Sequence, residues 1–221
     1  MTTRQNHYTG SFQRIKAFFL KHGGDFAAGS EALKQSAAID AACGATDTGA
    51  TTQVAGKGAV KTGSEELAIY RADLHGAMEA IARTARGMAL DTPGLDGKFH
   101  MPRSGSGQAL LASARAFAQD AGPLKDAFIA HEMPADFIDH LNGLIDQFVA
   151  AGGDKDTGAL KQVGGTAGVK TAVANGLIAR QKLNAIVPNK YQNNAAVLAE
   201  WVTAWHVEAP PSKKKPAPPT K

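Results

Sequence analysis

A chain of 221 residues with 43% hydrophobic side chains, 24 glycines and only 6% aromatics can bury a substantial core, but chiefly by bringing helices together at small contact residues. Its net charge of +4 sits at one end: Lys213, Lys214, Lys215 and Lys221 lie in residues 209–221 with no acid among them, and the remaining 20 basic residues balance the 20 acidic ones, so the body is neutral and offers no general basic face for nucleic acid. The single cysteine, Cys43, excludes an intrachain disulfide and a thiolate zinc site and fits a reducing cytoplasm, while no run approaches the roughly 20 apolar residues of a membrane span, so no membrane insertion is expected.

In chain order, Ser11–His22 carries Phe12, Ile15, Phe18 and Phe19 on one side, which predicts a short helix. Ser30–Cys43 follows as a second, with Ser30 as cap, and Gly44 is placed for a tight helix-to-helix turn. The clearest periodic signal is next: Val60, Leu67, Leu74, Ile81 and Met88 recur at an unbroken spacing of seven, the stripe of a long amphipathic helix. Asp47 or Thr48 can cap it, and Asp91-Thr92-Pro93-Gly94 ends it. Glycines at 49, 56, 58 and 63 predict a weak first half, where a break is expected.

Beyond a loop from Asp91 to Gly105, Gln108–Asp120 reads as a helix, Pro123 begins the next, and Pro134 opens another that Gly152-Gly153 should close. A second long helix is expected from about Asp156 to Val187, stopped by Pro188, and Ala195–His206 forms the last. No alternating run makes a strand. The predicted class is all-α, an antiparallel helical bundle.

The chain also matches itself at a shift of 109. Asp47-Thr48-Gly49-Ala50 falls on Asp156-Thr157-Gly158-Ala159, Val60-Lys61-Thr62 on Val169-Lys170-Thr171, Arg71 on Arg180, and Lys16, Phe19 and His22 on Lys125, Phe128 and His131. Two tandem copies of one helical unit are therefore expected, about 12–120 and 121–208, within a single domain spanning 1–208 and sharing a core across a pseudo-twofold axis. Residues kept in both copies are expected to maintain the framework. Features present once are the places to look for function.

Few residue groups suggest chemistry. The glycine-rich stretches ending in Lys61-Thr62 and Lys170-Thr171 lack the glycine before lysine that a phosphate loop needs. The seven histidines show no i, i+4 pair and no Glu-x-x-His pair, so no metal and no other cofactor is assigned. Asp136 with His140 reads as a surface pair, and His22 with Asp25 as dipole and cap residues. No Ser/His/Asp or Cys/His grouping can be assembled, and the protein is read as no enzyme. Arg83, Arg86, Lys98, His100 and Arg103 surround the loop 91–105 and are the best anion-site candidates in the body. Residues 209–221, with five prolines and four lysines, should be a disordered or polyproline-like tail. Its lysines are the candidate contacts to nucleic acid or another polyanion.

Ala80-Ile81-Ala82-Arg83-Thr84-Ala85-Arg86-Gly87-Met88-Ala89-Leu90, with Thr92-Pro93-Gly94-Leu95, Met101-Pro102-Arg103, Gln108-Ala109-Leu110-Leu111, Leu183 to Val187 and the Pro/Lys tail, resembles an uncharacterised family of bacterial all-helical proteins. The resemblance implies a bacterial source and brings no activity, cofactor or site residue with it. Three functions are left open: a non-enzymatic helical scaffold whose duplicated surface binds a protein partner or its own copy, a polyanion binder acting through the tail, and small-anion binding or catalysis at the basic loop.

Overall fold

Thr2 accepts a hydrogen bond from the amide of Gln5, and the Gln5 side chain accepts one from the amide of Thr2. This reciprocal cap satisfies two otherwise orphaned donors and starts α1 (Thr3–His22) eight residues before the first predicted position. In the computed structural model, which describes residues 1–103 and 106–208, the other helices are α2 (Glu31–Met88), α3 (Gly107–Ala121), α4 (Lys125–Ala130), α5 (Phe137–Lys190) and α6 (Ala195–Trp205). Three 3-10 turns complete the described structure, at Gly23–Asp25, Asp96–Lys98 and Gly122–Leu124, and no strand occurs among the described residues. The all-α class is as the sequence predicts. The tail, residues 209–221, lies outside the described residues, and with it Lys213, Lys214, Lys215 and Lys221.

The helix boundaries differ from expectation at the glycines. Gly44 makes no turn, the glycines from 49 to 63 make no break, and Gly152-Gly153 closes nothing, because α2 and α5 each run unbroken, for 58 and 54 residues. Pro188 lies inside the last turn of α5 rather than just beyond its end.

At Gly49 and Gly63 the reason is close contact, whereas Gly44, Gly152 and Gly153 have open space around them. A Cβ added at Gly49 would lie 2.9 Å from Val169 Cγ2 and 3.0 Å from the Gly165 carbonyl oxygen; one at Gly158 would lie 2.9 Å from the Val60 amide nitrogen and 3.0 Å from the Gly56 carbonyl oxygen. Each atom of the second contact belongs to a residue 109 positions from its counterpart in the first. At Gly165 the added atom would stand 2.6 Å from the Gln53 amide nitrogen. The two backbones touch, so these glycines are required by packing, and helix–helix contact offsets their low helix propensity of about 1 kcal/mol each. Hydroxyls assist: Thr46, Thr52, Ser64 and Thr166 each donate to the carbonyl four residues earlier, which keeps their donors satisfied within the helix.

The contacts divide into two units. The first comprises Met1–Ala55 with the chain from Leu160, and the second is Gly56–Ala159. In the first, α1 packs on α6 around Phe12, Ile15, Phe18, Ile39, Leu183 and Trp201, with Trp201 Nε1 donating to Asn184. In the second, the C-terminal part of the heptad stripe, Leu74, Ile81 and Met88, is buried with Leu110, Phe117, Phe128 and Leu141. Leu95 and Phe99 of the loop 91–105 are buried in that core, so this loop is pinned down at two points. Gly94, at φ 89, makes the turn that leads to Leu95.

Candidate functional site

A groove of about 610 Å³ lies within the second unit. α2 contributes Ser64, Leu67, Ala68 and Arg71, the start of α3 contributes Gly107, Gln108 and Leu111, and α5 contributes Phe148, Val149, Gly152, Gly153, Lys155 and Asp156. Leu67, Leu111 and Phe148 give it an apolar lining, and Arg71 and Lys155 are the cations in it, against the single carboxylate of Asp156. Arg71 also interacts within the chain. This arrangement suits an amphipathic ligand with an anionic group.

The first unit holds the densest polar cluster. His22, at the end of α1, is hydrogen-bonded through Nε2 to Glu200 of α6 at 2.8 Å, and its Nδ1 lies 3.7 Å from Asp25. Lys21 Nζ donates to the other Glu200 oxygen at 2.7 Å, and the Tyr191 hydroxyl donates to Asp25 at 2.7 Å. The hydrogen bonds from Lys21 and His22 hold the Glu200 carboxyl below its usual range. Burial and the Asp25 hydrogen bond push the Tyr191 phenol well above its usual value. His22 stacks among Phe18 and Tyr191, so this cluster fastens α1 to α6. The counterpart His131 bonds its own backbone at Ala127 and lies at the surface.

A second fastening lies near the C-terminus of α6. Arg180 donates from Nη2 to the Trp205 carbonyl at 2.6 Å and from Nε to Ser11 Oγ at 3.2 Å, and its guanidinium lies 3.3 Å from the centre of the Trp205 ring. Burial lowers its pKa. Arg14 donates to the His206 carbonyl, so two cations meet the negative end of the helix.

Arg83, Arg86, Lys98, His100 and Arg103 are all exposed, and Arg86 and His100 share a hollow of about 380 Å³, whose other polar residues are the acids Glu79 and Asp96. Arg86 Nε donates to the Ala82 carbonyl of its own helix. Lys61 lies on α2 and pairs with Glu65 at 3.8 Å. Asp136 and His140 both line an apolar hollow with Ile81 and Phe137. Among the described residues no three His, Cys, Asp or Glu side chains meet as a metal set. Cys43 is buried, and burial beside Asp40 raises its pKa.

The sequence reading missed the groove because its walls come from three separate segments. The signal within reach was the pairing of Arg71 with Arg180. No family model, curated protein or solved structure matches the chain. Among the described residues no helix is long and apolar enough to cross a membrane.

Proposed function

We propose that the protein is a non-enzymatic helical scaffold, a tandem duplication of one helical unit, whose repeated outer surface binds a protein partner or a second copy of itself. The carrying observation is a set of exposed apolar residues matched between the two copies. Val54 and Val163 are 70% and 68% exposed, and Ile69 and Ile178 are 58% and 57% exposed. Single exposed apolar side chains are ordinary, but pairs at the same copy position with the same exposure mark a surface that was copied as a surface. The matched contacts of Gly49 with Val169 and Gly158 with Val60 support the duplication.

Size-exclusion chromatography with light scattering tests this on the full chain across a concentration range, in parallel with a Val54→Lys/Val163→Lys double variant. The expected result is an association that the double variant loses while its thermal melt is unchanged. A strict monomer that retains no protein partner overturns the reading. A second reading rests on the composition of residues 209–221: Lys213, Lys214, Lys215 and Lys221 give salt-sensitive binding to a polyanion such as single-stranded DNA. Unchanged binding after removal of 209–221 overturns it.

A further inference from the structure

We infer that the groove of the second unit is a docking site for an acidic amphipathic helix of a partner protein. The inference rests on the duplication proposed above and concerns a different surface from the matched valines and isoleucines.

The first unit shows what covers such a groove. There the N-terminal half of α1 lies along α2 and against α5. The Met1 amino group donates to Gln53, Lys16 pairs with Asp40 at 3.1 Å, and Ser11 meets Arg180. The Phe12 ring would stand 2.5 Å from a Cβ at Gly176. In the same unit Cys43, in one core cluster with Phe12, and Thr46 and Val173 are 3%, 0% and 7% exposed.

In the second unit that covering half-helix has no counterpart. The sequence matching Lys16, Phe19 and His22 is Lys125, Phe128 and His131, in and just after α4, but α4 has only six residues and the chain reaches it from α3 through the Gly122–Leu124 turn. The positions matching Cys43, Thr46 and Val173 are Gly152, Lys155 and Ser64, and all three line the open groove. One helix is missing from a surface whose duplicate carries one.

Charge specifies the occupant. Where the first unit buries Thr46, the second places Lys155, and Arg71 stands in the position of Arg180. A helix seated there meets a lining of net positive charge, Lys155 and the Arg71 guanidinium, which also interacts within the chain, against the one carboxylate of Asp156, so it carries carboxylates on its buried edge beside an apolar stripe. α1 of a second copy is the wrong occupant, since it bears Arg4, Arg14 and Lys16 and no acid.

Fluorescence anisotropy on the full chain tests this with two labelled peptides. One has the natural sequence of residues 2–20; the other carries Arg4→Gln, Tyr8→Glu, Ser11→Glu and Arg14→Gln. The acidic peptide is expected to bind saturably and about ten-fold more tightly than the natural one, to lose about ten-fold on Lys155→Glu, and to fail on Ala68→Trp, which fills the groove from an exposed position. Both variants should keep the melting temperature of the parent chain. Equal binding of the two peptides, no binding of either, or binding unaffected by Ala68→Trp or by Lys155→Glu would each overturn the inference. The Val54→Lys/Val163→Lys chain should bind the acidic peptide normally, so loss of association there and loss of peptide binding here are separate failures.

Discussion

Arg180 joins three segments with one side chain: it closes the end of α6, holds Ser11 of α1 and stacks on Trp205. Truncation removes charge-assisted hydrogen bonds to the Trp205 carbonyl and Ser11 and a cation–π contact, and leaves that carbonyl only the Ser11 hydroxyl as donor, so Arg180→Ala should cost about 2 kcal/mol in a urea melt. Loss of less than about 0.5 kcal/mol would show that the contact is idle. The carboxyl of Glu200 gives a pH prediction with a defined sign. Its pKa is held below the ordinary 4.5 by Lys21 and His22, so the contribution of that contact is complete above 4.5 and is lost as pH falls through the lowered value. Melting temperature should therefore fall more steeply below pH 4.5 in the parent chain than in Glu200→Gln; equal slopes would contradict the assignment. At this scale the sequence was partly legible. The pairing of Arg71 with Arg180 marked both as framework residues, which Arg180 is. The Glu200 contact was not legible, because its partners lie about 180 residues away and only the α1–α6 packing brings them together.

The glycines of α2 and α5 are of two kinds, which neighbouring positions separate. Gly165 has no room for a Cβ, with backbone at 2.6 Å, while Gly164 has nothing within 4 Å. Gly165→Ala must force the helices apart and should destabilise by about 2 kcal/mol or more. Gly164→Ala only raises helix propensity and lowers the entropy of the unfolded chain, and should stabilise by about 0.5–1 kcal/mol. Thermal melts of the two variants moving in the same direction would refute the close approach. Sequence reading misplaced the break at Gly63 because propensity treats every glycine as a helix breaker, whereas contact with another backbone is a tertiary property; Gly44 and Gly152 have open space around them and are carried within the two long helices. It also missed the start of α1. Thr2 and Gln5 spell out the capping signature, but the polar turns that follow have no apolar period to draw the eye.

For the molecule as a whole, the all-helical class and the length of the apolar stripe were legible, since both are local periodicities. The open groove was not, because it exists only when α2, the start of α3 and α5 come together. Both tryptophans, Trp201 and Trp205, belong to the first unit, so their fluorescence reports on that unit while circular dichroism reports on all helices. Because α2 and α5 each run unbroken through the boundary of the units, the two signals should trace one urea transition. Separate midpoints would mean that the long helices can melt at one end alone.

The backbone contact between Gly49 and Val169 also bears on how fast the molecule can form. Its two sides are more than a hundred residues apart in the chain, and the glycine-rich stretches that meet there are poor helices until they touch. Most all-α bundles condense from neighbouring segments, but this one must close a long loop before its central helices gain their contacts. Refolding should therefore be slower than its all-helical content suggests, and Gly165→Ala should slow it further if that crossing is already formed at the rate-limiting step.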